Sequence, residues 1–246
     1  MQKINLPGMT LTDYSLREAI GITDRFLGSG SLNTILFISA KILVGAGVLA
    51  EQQEWIRDAD LIIWSNAEIA KQAGIKAKDR IREVEDQDYI KEVLQRLGRE
   101  KEPLYLLAES EEDLEKLEFD LRLLREDLNI AGSGIIGGAP EEWDDEANRI
   151  NTLAPTAIIS WLQFDRQGRL IERMKKILNA DIWLGLDPQM VLGSRKEPFL
   201  KKVLSKWYHH LFQRQLLEYH ANEKGQTEES ENAGEEITEE YDTESE

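Results

Sequence analysis

Short apolar runs alternate with helix-like patterns along most of this chain, and no other feature of the sequence limits its fold as strongly. The mostly apolar runs lie at residues 35–38, 61–64, 104–107, 157–161 and 181–184. Strands that are apolar on both faces are typical of a parallel sheet covered by helices on two sides. We therefore predict an α/β protein with a Rossmann-like, mostly parallel sheet and helices on both faces.

The segments between these runs carry apolar residues at helical spacing. The clearest helix is predicted at 110–126, where Ser110 and Asp113 form a capping pair and leucines recur every three or four residues. Further helices are predicted at 42–57, 88–99, 141–151 and 166–178, and a short strand from Asn129 that ends at Gly132 and Gly134.

Open sheets of this kind bind ligands in the loops beyond the carboxyl ends of their strands. The predicted loops are 39–41, 65–68, 108–110, 132–140, 162–166 and 186–195. Any binding or catalytic residues are therefore expected in these loops.

Three segments differ in composition, and we predict that they are separate units. Residues 1–197 form the Rossmann-like domain. Residues 198–222 form an amphipathic helical appendage, with Phe199, Val203, Trp207, Leu211 and Leu216 among four basic residues, Lys201, Lys202, Lys206 and Arg214. Residues 223–246 carry eleven acids and one lysine without apolar periodicity, so a disordered acidic tail is expected.

Charge and composition exclude several classes of protein. The chain carries a net charge of −17 over 246 residues, of which −7 belongs to residues 1–222. A nucleic-acid partner needs a basic surface, so none is expected. The absence of cysteine excludes disulfides and thiolate metal sites. With no signal-peptide pattern and no apolar stretch of membrane-spanning length, the sequence predicts a soluble, cytoplasmic protein.

Several patterns suggest metal or phosphate binding, but a structural role is favoured for each. Asp58-Ala59-Asp60 and Asp86-Gln87-Asp88 match a metal-binding D-x-D pattern, although the first precedes its strand and the second lies where a helix begins. The glycine-rich segment 132–138 lacks the lysine of a phosphate-binding loop. A loop over the cleft is favoured there, with a ligand contact kept open. His209, His210 and His220 make a poor metal set, so no metal is predicted.

The order of these elements resembles that of the WecG/TagA/CpsF glycosyltransferases. The resemblance begins at Ile4-Asn5-Leu6-Pro7 and Glu18-Ala19. It continues through Ala59-Asp60-Leu61, Leu104-Tyr105-Leu106-Leu107 and Leu128-Asn129-Ile130. It ends with Arg166-Gln167 and Lys206-Trp207-Tyr208.

The resemblance implies transfer of an N-acetylhexosamine-type sugar from a UDP donor to a lipid-linked acceptor in cell-envelope polysaccharide synthesis, with no metal or other cofactor. It also implies oligomer contacts and peripheral contact with the inner face of the membrane through residues 198–222. Envelope-synthesis proteins are the expected protein partners.

Most of the residues that carry the family's chemistry are replaced here. Ser65 and Asn66 stand where the family has the Asp-Gly that includes its proposed base. The substrate-binding positions that the resemblance assigns in this chain are Ser39, Asn66, Glu109, Gln163, Gln167, Gly185 and Asp187. A serine without a basic partner is a poor replacement for a carboxylate base. The acids Glu109, Asp86 and Asp187 add negative charge where glycines would admit a diphosphate.

Three interpretations follow. The favoured one is a family member without strong catalytic power that acts as a binding or regulatory partner. The second is an active glycosyltransferase with a relocated base, for which Asp165, Glu109 and Glu68 are candidates. The third is a small-molecule sensor of Rossmann type.

Overall fold

The computed structural model describes residues 2–6, 9–46, 49–72, 75–137 and 143–192. It begins with an antiparallel hairpin, formed by β1 (Gln2–Leu6) and β2 (Met9–Asp13). Ile4, Met9 and Leu11 of the hairpin are buried against the main body of the protein. This hairpin was not predicted from the sequence.

The main body is built on a six-stranded sheet. Its strands are β3 (Asn33–Ile38), β4 (Leu61–Trp64), β5 (Pro103–Ala108), β6 (Asn129–Ile135), β7 (Ala157–Trp161) and β8 (Ile182–Leu186). They lie in the order β4-β3-β8-β7-β5-β6, and every neighbouring pair is parallel. The predicted α/β fold is confirmed.

Helices cover both faces of this sheet. One face carries α1 (Leu16–Phe26), α6 (Asp88–Glu100) and α7 (Glu111–Leu124). The other carries α2 (Ala40–Ala46), α3 (Ala50–Asp58), α4 (Ala67–Gln72), α5 (Lys78–Glu85), α8 (Trp143–Leu153) and α9 (Phe164–Met174). Across the described residues, no helix combines the length and the apolar character that a bilayer-spanning segment needs.

Local capping accounts for the start of α7, which the sequence predicted, and for the start of α1, which it did not. The Ser110 hydroxyl accepts a hydrogen bond from the Asp113 backbone N–H at 3.2 Å, and α7 begins at the next residue. The Ser15 hydroxyl and the Glu18 carboxylate form a full capping box at the start of α1. This bonding holds the pKa of Glu18 at about 2.

Two predictions about local structure were wrong. The helix expected at 42–57 is two helices, α2 and α3. The strand expected to end at Gly132 continues to Ile135 as β6. A methyl group at Gly132 would lie 2.7 Å from the Tyr105 ring, and one at Gly134 would lie 1.8 Å from Glu146 Oε1. These glycines therefore let neighbouring side chains pack against β6, and residues 132–134 are strand rather than loop.

The predicted appendage at 198–222, the acidic tail at 223–246 and the three histidines lie outside the described residues. Their structure and the proposed division into three units stay predictions.

Candidate active site

All six parallel strands end at one edge of the sheet, which we call the carboxyl edge. The residues that directly follow the strands are Ser39, Ser65, Glu109, Ile136, Leu162 and Asp187. Four of them, Ser39, Ser65, Glu109 and Asp187, are positions that the family resemblance assigned to the site, and the parallel strands bring them to one edge.

Ser65 and Asp187 meet at this edge. The Ser65 hydroxyl donates to Asp187 Oδ2 at 3.0 Å, and the Gln189 backbone N–H donates to Asp187 Oδ1 at 2.9 Å. Ser65 is 8% exposed and Asp187 is 3% exposed. A buried carboxylate needs hydrogen-bond donors, and these two are neutral. The pair joins the ends of β4 and β8, which flank β3.

Ser39 and Asn66 belong to the same part of the carboxyl edge. Ser39 follows β3, the strand between β4 and β8, and Asn66 is the residue after Ser65. Ser39 is buried and accepts a hydrogen bond from the Ile42 N–H at 3.4 Å. Asn66 Oδ1 is shielded from solvent and has no hydrogen-bond partner among the described residues. The half of the edge around β3, β4 and β8 is therefore polar but largely closed to solvent.

The segment after β8 contributes to this closure. Met190 and Leu192 are buried in the core on the α6 side of the sheet, and the Gln87 side chain donates to the Val191 carbonyl at 2.8 Å. A cavity of about 20 Å³ remains near the end of β4, with room for about one water molecule. Its lining includes Tyr14, Phe37, Trp64, Arg80, Gln87 and Met190.

A buried ion pair next to this cavity was missed by the sequence analysis. Asp13 accepts from the Trp64 indole N–H at 2.7 Å and from Arg80 Nη2 at 2.9 Å. Arg80 also contacts Glu83 at 3.3 Å. The hairpin is thereby fixed to the end of β4. No local pattern could have found this set, since its members come from three separate elements.

Tyr89 also lines the cavity, and burial raises the pKa of its hydroxyl, which bonds the Thr23 hydroxyl at 2.7 Å. It therefore stays protonated near neutral pH. Nothing about this hydroxyl suits it to act as a base.

The other half of the edge is more open. Glu109 Oε1 accepts from the Gln163 backbone N–H at 2.6 Å, and Glu109 Oε2 lies 3.8 Å from Arg166 Nη1. Arg166 also donates to the Ile136 carbonyl at 2.8 Å. Asp165, the alternative base, is exposed on the first turn of α9. These residues tie together the loops after β5, β6 and β7.

The sequence of the chain matches the Glycosyl transferase WecG/TagA/CpsF family over residues 4–220. The chain belongs to this family. A comparison with curated proteins found no match.

Two positions that the WecG/TagA/CpsF resemblance assigned to substrate lie inside the protein. The Gln167 side chain accepts from the Ser160 hydroxyl at 2.7 Å, and that hydroxyl also accepts from the Trp183 indole at 2.7 Å. A methyl group at Gly185 would lie 2.2 Å from Gln167 Nε2, so the Gln167 side chain could not keep its present position with a larger residue there. Gln167 and Gly185 therefore pack α9 on the sheet, and their predicted contact with substrate stays a prediction.

The metal patterns also have structural positions in this family member. Asp60 lies at the opposite, amino end of the sheet, where its Oδ2 accepts from the Thr34 N–H at 2.8 Å and from Lys175 at 2.7 Å. Burial opposes ionisation of Asp60, but these bonds dominate and lower its pKa. Asp86 is the C-cap of α5. Among the described residues, no group of three or more potential ligands could hold a metal.

Proposed function

We propose that this chain is a WecG/TagA/CpsF family member that no longer transfers sugar and acts as a binding or regulatory partner in cell-envelope polysaccharide synthesis. The observation that carries the proposal is the Asp187 carboxylate, which is buried against Ser65 at the position that the resemblance assigns to the family's base.

A second negative charge beside Asp187 would be costly. Two like charges about 5 Å apart repel by roughly 3 kcal/mol at an effective dielectric constant near 20. A nucleotide diphosphate placed at this half of the carboxyl edge would meet that repulsion. It would also have to displace the segment at 187–192, whose Met190 and Leu192 are part of the core. The Ser65 hydroxyl already donates a hydrogen bond to Asp187, and no histidine or lysine is among its described hydrogen-bond partners.

Calorimetric titration of the full chain with UDP and with UDP-N-acetylhexosamines tests the loss of transfer activity. We expect no saturable heat up to millimolar ligand. Micromolar binding followed by sugar transfer to a lipid-linked acceptor would contradict the proposal. The Asp187→Gly variant is the matched comparison, because it removes the buried charge while leaving Ser65 in place, and it is expected to bind UDP more tightly than the wild type.

The partner role needs a separate experiment. The full chain is added to a reconstituted envelope glycosyltransferase with its own donor and lipid-linked acceptor. A saturable change in that enzyme's turnover, together with co-elution of the two proteins, is the expected result. Unchanged turnover across the glycosyltransferases of the pathway would remove this part of the proposal.

One observation favours the active glycosyltransferase as a second candidate. The Asp187 carboxylate lies 3.0 Å from the Ser65 hydroxyl, so one acid is still present where the family places its base, although it comes from β8. This candidate predicts transfer that is lost in Asp187→Asn and retained in Asp165→Asn. Transfer lost in Asp165→Asn instead would assign the base to Asp165.

Contact with the membrane, self-association and location at the inner face of the cell membrane belong to the same proposal. They depend on residues 198–222, which lie outside the described residues.

A further inference from the structure

The two outer strands of the main sheet differ in what lies beside them. On one side of the sheet, every residue of β4 is buried, and the hairpin is bonded to this strand through Asp13 and Trp64. On the other side, β6 pairs with β5 alone among the described residues. Alternate residues of β6 are exposed, from Asn129 to Ile135. The outer side of β6 is therefore an open sheet edge.

The open edge of β6 lacks the residues that protect most exposed strands. Natural edge strands tend to carry charged residues or proline, which hinder pairing with another chain. The segment at 129–137 contains neither. Ala131 is an extra residue in the ladder with β5, and this bulge interrupts the strand. Residues 132–135 then pair regularly with residues 105–108, so a four-residue stretch of regular strand is available for pairing.

The hydrogen bonds of β6 show which of its backbone groups point outward. The Ile136 N–H donates to the Ala108 carbonyl, on the β5 side, at 2.8 Å. Backbone groups alternate between the two sides of a strand, so the N–H and C=O groups of Ser133 and Ile135 point away from β5. The Ser133 carbonyl also accepts from the Tyr105 hydroxyl at 3.0 Å, and it keeps a second lone pair. The outward groups are therefore suited to a further strand.

Two large apolar side chains flank the open edge. Ile135 is 44% exposed, and Leu153, at the end of α8, is 41% exposed. A methyl group at Gly132 would lie 2.6 Å from Leu153 Cδ1, so this leucine lies directly beside β6. A strand added to the edge would remove apolar surface of both side chains from water, which favours association.

Both helices that pack beside β6 are acidic where they begin and carry an arginine further along. α7 begins with three acids and has Arg122 in its last turn. α8 also has three acids in its first turn, and its Arg149 pairs with Glu146 at 3.2 Å. When two copies lie antiparallel, the acidic start of each helix lies toward the arginine of its counterpart. A parallel arrangement would set acids against acids, so the charges favour an antiparallel pair.

We propose that β6 pairs antiparallel with β6 of a second copy of this chain, through residues 132–135. A two-fold axis then joins the two six-stranded sheets into one and covers Ile135 and Leu153 of each copy. Two copies of so acidic a chain repel each other, and the uncharged segment at 129–137 lets them approach with little repulsion. This contact is separate from the self-association proposed for residues 198–222, and it does not depend on whether the carboxyl edge transfers sugar.

Hydrogen exchange of the full chain locates the contact. The outward N–H groups of Ser133 and Ile135 exchange with solvent in a monomer, and strand pairing protects them. Peptides that cover 129–137 are compared at about 1 µM and at about 300 µM protein, and exchange is expected to be about tenfold slower at the higher concentration. Exchange that does not change with concentration would overturn the proposal. Protection confined to 198–222 would overturn it as well, because self-association would then use that segment alone.

A substitution at the edge gives a second measurement. Ile135→Lys replaces an exposed side chain, so the fold is expected to survive, as a circular dichroism melt would check. A lysine on each of two paired edges should raise the dissociation constant at least about tenfold in sedimentation equilibrium. Leu49→Lys is the matched control, because Leu49 is 52% exposed and precedes α3, which packs near β3 and β4. Self-association that is equal in the Ile135→Lys and Leu49→Lys variants would contradict pairing through β6.

Discussion

The two ends of the parallel sheet hold aspartates in opposite ways. At the amino end, the Asp60 side chain is 34% exposed and pairs with Lys175 at 2.7 Å. At the carboxyl end, Asp187 is almost fully buried and accepts from the neutral Ser65 hydroxyl and Gln189 N–H. The first is an ordinary surface ion pair. The second is a buried carboxylate whose described donors are both neutral.

The comparison shows that position in the fold, rather than a local sequence pattern, distinguishes the candidate site. Asp60 belongs to an Asp-x-Asp pattern, but its place at the amino end of the sheet and its bond to Lys175 give it a structural role. Asp187 has no comparable local pattern, but it occupies the edge at which open α/β sheets bind ligands. Variants at the two ends should therefore respond differently.

The largest effect is expected at Asp187. Asp187→Ala leaves the buried Ser65 hydroxyl and the Gln189 N–H without their acceptor, which should lower the free energy of unfolding by about 3 kcal/mol. Asp187→Asn keeps an acceptor oxygen and should lose about half as much. Urea unfolding at pH 7 measures both. A variant as stable as the wild type would mean that the free-energy cost of burying the carboxylate equals the stabilisation from its hydrogen bonds.

Ser65→Ala should have the next largest effect, a loss of about 1–2 kcal/mol, because Asp187 would keep only the Gln189 N–H. A double-mutant cycle with Asp187→Ala should give a coupling free energy of at least about 1 kcal/mol. Additive losses in the two single variants would show that the 3.0 Å contact contributes nothing of its own.

A smaller, pH-dependent effect is expected at Asp60. Asp60→Asn should lower stability by about 0.5 kcal/mol at pH 7, since solvent screens an ion pair this exposed. The pKa of Asp60 is lowered in the folded protein, so its stabilisation is complete above the unfolded pKa of about 4 and is lost as pH falls through the folded pKa. Urea unfolding between pH 7 and pH 3 should show the gap to the wild type closing. A gap that widens on acidification would contradict this assignment, and Asp58→Asn is the control.

The smallest effect is expected at Asp165. This side chain is exposed at the start of α9, so Asp165→Asn should change the free energy of unfolding by less than about 0.5 kcal/mol. UDP titration of this variant should match that of the wild type. Altered UDP binding would place the nucleotide site in the open half of the carboxyl edge rather than in the buried half.

Particular elements show how far the sequence could be interpreted. The leucine spacing and the Ser110 cap predicted α7, because both are local signals. The glycines of β6 were misinterpreted as a loop. Their neighbours in the fold, Tyr105 and Glu146, leave no room for larger side chains, and both are distant in the chain. The predicted parallel sheet was enough to place the loops that hold Ser39, Ser65 and Asp187 at one edge.

The inward direction of Gln167 could not be predicted in the same way. It depends on how α9 is rotated on the sheet, and that rotation is fixed by the close packing of Trp55 on Gly168. A sequence pattern shows which face of a helix is apolar, but it does not show which polar residue on that face finds a buried partner.

The α/β class, the mostly parallel sheet and the loops at its carboxyl edge could be derived from the sequence, because hydrophobic periodicity is a local property of the chain. The contact of Asp187 with Ser65, and the contacts of Asp13 with Trp64 and Arg80, depend on tertiary packing. These contacts join residues 51 to 122 positions apart. They form only where packing buries the polar groups together and leaves them no water to bond.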